Sequence, residues 1–158
     1  INPSISTIYR NDEGNFTDIV AGLAGVSNSS VAWGDYAGDG DLDILLTGTN
    51  SSNQPISTIY RNNGDETFTD IAAGLAGVRT SSVAWGDYDG DGDLDILLTG
   101  QNSGIQVLSI IYKNNSVENG ATYAPPTAPT NLIATVNEAE TQVTMSWDAA
   151  TELARIHI

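Results

Sequence analysis

The sequence predicts an all-β chain: tandem four-stranded propeller-type blades, two full units and part of a third, then a proline-rich linker and a short β segment. Three observations lead there. A unit of about 50 residues recurs almost unchanged. The apolar runs inside each unit are short and several alternate with polar residues, the pattern of half-buried strands. Gly, Asn, Asp and Ser, the usual turn formers, bound each run.

The repeat is explicit. Residues 5–11 (Ile-Ser-Thr-Ile-Tyr-Arg-Asn) return as 56–62. Phe-Thr-Asp-Ile at 16–19 returns at 68–71, and Ala-Gly-Leu-Ala-Gly-Val at 21–26 returns at 73–78. Residues 31–48 match 83–100 at 17 of 18 positions, the exception being Ala37 against Asp89. A third copy opens at Ser109 with Ile110, Ile111, Tyr112, Lys113, Asn114 and Asn115. This period suits a propeller blade, whereas leucine-rich and ankyrin units are shorter. The expected organisation is therefore repeats over 1–116 (about 1–52, 53–104 and a partial 105–116), a linker over 117–130 and a further segment over 131–158. A propeller closes with about four to eight blades. Two units fall short, so the chain is expected to belong to a longer polypeptide, to assemble with copies of itself, or to leave strand edges open.

Within a unit, residues 57–61 alternate like a half-buried strand, and 82–86 and 94–99 are short apolar runs. The stretch 71–76 carries a brief helical period that Gly74 weakens.

Composition narrows the function. The 158 residues include 20 acidic and 5 basic side chains, a formal net charge of −15. Phosphate neutralisation needs clustered Lys and Arg, so nucleic acid and anionic membrane are poor partners. There is no cysteine, which excludes disulfides, thiolate metal sites and Cys nucleophiles. No apolar stretch approaches the roughly 20 residues of a membrane-spanning helix. The chain opens on Ile1 with neither a starting Met nor a signal-type run, which reads as a mature fragment or a piece of a longer chain.

The chemistry is concentrated in one loop. Asp87, Asp89, Asp91, Asp93 and Asp95 place five carboxylates in nine residues. A hard divalent cation offsets their mutual repulsion, and Ca²⁺ accepts six to eight oxygen ligands in flexible geometry. Asp87, Asp89 and Asp91 occupy loop positions 1, 3 and 5; Gly92 permits a sharp turn at position 6; the Asp93 carbonyl and Asp95 complete the set. Position 12, a bidentate Glu in an EF-hand, is Leu98, and the flanks are β-rich, so this is not an EF-hand. Mg²⁺ requires a tighter octahedron, and Zn²⁺ lacks its usual nitrogen and sulfur ligands here. The first copy offers Asp35, Asp39, Asp41 and Asp43 but has Ala37 at position 3, which predicts a weaker site. Nine of the chain's 20 acids lie in these two loops.

The residues from Val83 to Gly100 resemble an FG-GAP (VCBS-like) repeat, the calcium-binding blade of integrin α-subunits and of many bacterial secreted proteins, and the likeness spans roughly 1–116. The resemblance implies that the ligand pattern falls on Asp87, Asp89, Asp91, Asp93 and Asp95 and on Asp35, Asp39, Asp41 and Asp43. It also implies an extracellular or cell-surface setting, secreted and bacterial, with a role in adhesion, recognition or scaffolding. In the tail, 131–136 and 143–147 resemble the first two strands of a fibronectin type III domain, with Trp147 as its core tryptophan and only about 28 residues remaining of the 90–100 such a domain needs.

Other side chains carry less. His157 is the only histidine and lies next to the end of the chain, so no Ser-His-Asp set forms around it and no enzyme is expected. Trp33 and Trp85 occupy the same place in an apolar strand and are expected in the core. Tyr36 and Tyr88 lie inside the acidic loops, either covering the site or facing solvent. The leading expectation is a secreted calcium-binding structural or adhesive module. The alternatives are a self-assembling filament or scaffold subunit, associating through open strand edges, and a module of a larger extracellular enzyme that recognises a protein or glycan.

Overall fold

The computed structural model describes residues 4–115, 130–136 and 143–148. All regular structure among them is β. The chain divides into two compact units, Ile1–Asn119 and Gly120–Ile158.

In the first unit a short hairpin, β1 (Tyr9–Asp12) with β2 (Asn15–Asp18), precedes two antiparallel meanders. The first meander is four-stranded: β3 (Val26–Gly34), β4 (Asp43–Asn50), β5 (Pro55–Asn62) and β6 (Phe68–Asp70). The second has three strands among the described residues: β7 (Arg79–Gly86), β8 (Asp95–Gln101) and β9 (Val107–Tyr112). The sheets are out of phase with the sequence units: β3 and β4 come from one unit, β5 and β6 from the next. The 71–76 stretch forms neither helix nor strand, and Ala72 and Gly74 adopt left-handed φ values of 51° and 70°. These interrupt any helical run.

Register decides which residues meet. Leu45 faces Ile59 across β4 and β5, while Ile44 faces Tyr60 on the opposite surface. The Leu45 side joins Ile59, Val78, Ile96 and Leu98 in one buried cluster, with Trp85 and Tyr36 packed against it. The Ile44 side joins Leu46 and Tyr60, capped by Ile8, Leu23 and Phe68. β4 is thus buried on both faces, which explains its nearly continuous apolar sequence.

The two sheets stack face to face, β3 against β7. Trp85 lies over Gly34, where a Cβ would come within 2.5 Å of the ring, and its indole N–H donates to the Ala32 carbonyl at 3.4 Å. Polar contacts join the same surfaces: the Val83 amide donates to Ser30 Oγ, and the Thr47 and Ser81 hydroxyls are 2.8 Å apart. The link between sheets runs close beside β5. A Cβ at Gly77 would fall 2.2 Å from the Pro55 carbonyl oxygen, so only glycine fits there.

Trp85 packs against the core, partly buried, but Trp33, expected there too, is 50% exposed. The cause is position in the stack. Trp85 has the β3–β6 sheet beneath it, whereas Trp33, at the other end, meets the edge of Phe68 at a ring-centroid distance of 6.4 Å and lines an open cavity with Ile8, Ile19 and Leu42.

In the second unit β10 (Thr130–Val136) and β11 (Val143–Asp148) pair antiparallel, close to the two strands expected there. Most of the expected linker and the segment 149–158 lie outside the described residues.

Candidate metal centre

Both acidic loops join the first two strands of a sheet, β3 to β4 and β7 to β8. Each is shaped by its own carboxylates. Asp87 Oδ1 accepts the Gly90 and Asp91 amides at 2.7 and 3.1 Å, and Oδ2 accepts the Gly92 amide at 3.1 Å. Asp35 does the same for Asp39 and Gly40 in the first loop. Gly40 and Gly92 take φ values of 95° and 94°, the tight turn expected at position 6.

The last acid of each loop is buried. Asp43 and Asp95 are 0% and 1% exposed. Asp95 accepts the Tyr88 amide at 3.0 Å and the Asn114 amide at 2.8 Å; Asp43 accepts the Tyr36 and Asn62 amides at the same distances. Each carboxylate therefore ties the start of its loop to the end of the third strand, at Asn62 in β5 and at Asn114 just beyond β9. Burial raises the pKa of Asp43, against the opposing pull of the backbone amides that bind it. The asparagines brace the loops further: Asn62 Nδ2 donates to the Leu42 carbonyl, and Asn114 Nδ2 to those of Leu94 and Tyr36.

In the second loop, Asp87, Asp89 and Asp95 bring one carboxylate oxygen each within 4.8 Å of one another. Asp91 accepts the Asp93 amide and lies 3.4 Å from Lys113 Nζ. Lys113 also lies 2.9 Å from Asp89 Oδ2, and this pairing lowers the Asp89 pKa and raises that of Lys113. The all-carboxylate donor set fits a hard cation that takes oxygen ligands. Asp35, Asp39, Asp41 and Asp43 form no such three-carboxylate group among the described residues, and Ala37 stands where Asp89 contributes in the second loop.

Repulsion among the acids is thus relieved in part by loop amides and by Lys113, which the one-dimensional spacing does not reveal. The bracing role of the asparagine after each Tyr-Arg or Tyr-Lys pair is equally invisible in the spacing of the acids; its signal in the sequence is recurrence at 11, 62 and 114. Of the loop tyrosines, Tyr36 stacks on Trp85 at 6.4 Å and 15°, while Tyr88 is exposed.

Fold and loop together define a class: stacked antiparallel sheets, each with an acidic loop between its first two strands. Residues 38–98 match the FG-GAP-like repeat family, and residues 80–123 match the FG-GAP repeat family. Together the two matches span residues 38–123. Such repeats are a non-catalytic family, typical of extracellular adhesion and ligand-binding modules. No curated protein and no solved structure matches the chain. No helix among the described residues is long and apolar enough to cross a membrane.

Proposed function

We propose that this chain is a calcium-binding structural module of an extracellular adhesive or scaffolding protein, in which calcium rigidifies the loop from β7 to β8. The observation that carries this reading is the convergence of Asp87, Asp89 and Asp95 oxygens within 4.8 Å on a glycine-turned loop. Asp91 and the Asp93 carbonyl are the further ligands, and the loop from β3 to β4, lacking a carboxylate at Ala37, binds more weakly. The FG-GAP matches support the extracellular setting.

Calorimetry with calcium should find one dominant site, and Ala37→Asp should strengthen the weaker one. At a hundredfold excess of calcium over its dissociation constant, one site adds about 2.7 kcal/mol, a rise in melting temperature of roughly 10 °C. A melting curve unchanged by chelator, together with no binding heat, would sink the proposal.

Lys113 gives a second check. Its ammonium competes with a metal for Asp89 and Asp91. Lys113→Met should therefore raise calcium affinity about fivefold at low salt, with the gain shrinking as salt is added. Weaker binding in the variant would show that Lys113 does not compete for these ligands.

A further inference from the structure

The two sheets present equivalent surfaces in unequal surroundings. On β4, Leu45 is 0% exposed, because the second sheet covers it. Its counterpart on β8, Leu97, is 46% exposed. Leu97 pairs across the sheet with Ile111, and Val107 lies further along the same face opposite Gln101. Ile111 and Val107 are 55% and 84% exposed. The outer face of β7–β9 is thus an apolar surface of the kind that the outer face of β3–β6 buries.

The seat for a tryptophan is duplicated as well. Gly34 receives the Trp85 ring. Its counterpart Gly86 would carry a Cβ with nothing within 4 Å among the described residues. At the other end of the stack stands Trp33, the counterpart of Trp85, half exposed beside the exposed Val31. Among the described residues, one end of this unit therefore carries a ring without a glycine seat, and the other carries a seat without a ring. The residues that form the internal contact are repeated at both ends: Val31, Ala32, Trp33 and Gly34 read the same as Val83, Ala84, Trp85 and Gly86.

We propose that the outer face of the β7–β9 sheet binds a second copy of this chain, with the partner's Trp33 on Gly86 and its Val31 beside Leu97 and Ile111. The contact reproduces between molecules the one already made between the two sheets. It is heterologous, since each copy uses a different face, so it propagates to a ring or an open filament. It is a face contact, independent of bound metal, and distinct from pairing at strand edges. Docking also displaces the incoming β1–β2 hairpin, because Tyr9 and Tyr112 are both counterparts of Tyr60 and would claim one strand position. That hairpin is exposed at seven of its eight positions, and an isolated two-stranded hairpin is marginal in water.

Sedimentation equilibrium tests the proposal. The runs use the full chain with calcium and physiological salt, where the Debye length of about 8 Å screens the −15 charge. Wild-type mass should rise above the monomer's 16.6 kDa as concentration goes from micromolar to millimolar. Gly86→Val fills the seat, and Trp33→Ala removes the ring. Each variant alone should remain monomeric, yet an equimolar mixture should form a one-to-one complex and stop there, since each retains the face the other lacks. Circular dichroism confirms that both fold, and Leu97→Glu replaces Gly86→Val should that variant not. A wild type that stays monomeric throughout overturns the proposal. So do variants that associate like the wild type, the result expected of edge pairing, and so does a mixture that forms no complex.

Discussion

Asp95→Ala should lower the free energy of unfolding by about 3 kcal/mol even with calcium chelated, whereas Asp87→Ala should cost little under the same conditions. Both residues belong to the same candidate site, so a role confined to metal binding would make both losses vanish in chelator. The geometry separates them. Asp95 is buried, and its two oxygens are the acceptors for the Tyr88 and Asn114 amides. Truncation leaves those part-buried amides without their acceptor, and each lost partner costs about 1–3 kcal/mol. Asp87 also accepts backbone amides, but its loop is exposed and water can replace it. Asp43→Ala should match Asp95→Ala, although its loop lacks the three-carboxylate cluster. Urea unfolding with and without chelator measures all three. Equal losses for Asp87→Ala and Asp95→Ala in chelator would refute this division of labour.

Leu45→Ala should destabilise the fold by about 3 kcal/mol, and Leu97→Ala by less than about 1 kcal/mol in dilute solution. These leucines occupy the same place in a repeat that matches at 17 of 18 positions. Leu45 is enclosed by Ile59, Val78, Ile96 and Leu98, so removing its side chain leaves a cavity that packed sheets on both sides cannot close. Leu97 is already 46% exposed, and its truncation opens no cavity. The gap should narrow at high concentration, where the proposed association buries Leu97. Thermal or urea unfolding at two concentrations reads both effects, and equal losses at low concentration would contradict the packing described.

Local sequence reasoning reached the strands and the tight turn of the acidic loop, and the reasons are local. Alternation along 57–61 marked a strand because side chains in a strand point to opposite faces in turn. The Asp spacing with Gly40 and Gly92 marked a tight oxygen-lined turn because only nearby residues shape it. What escaped depends on which strands become neighbours. Trp33 and Trp85 are indistinguishable in one dimension, and only stacking order buries one and exposes the other. Asp95 reads as one more ligand until Asn114, 19 residues away, is seen to donate its amide to it. Lys113 likewise meets Asp89 and Asp91 only after β8 and β9 have paired.

The offset between sequence unit and sheet has a practical bearing on any attempt to splice or lengthen this array. A gene fragment cut after residue 52 would sever β4 from β5 and strip Asp43 of the Asn62 amide it holds. Joining fragments within 71–77, between β6 and β7, would transfer a complete meander with its loop and brace intact. The module to shuffle is therefore the folded one, even though the eye, following the letters, would choose another.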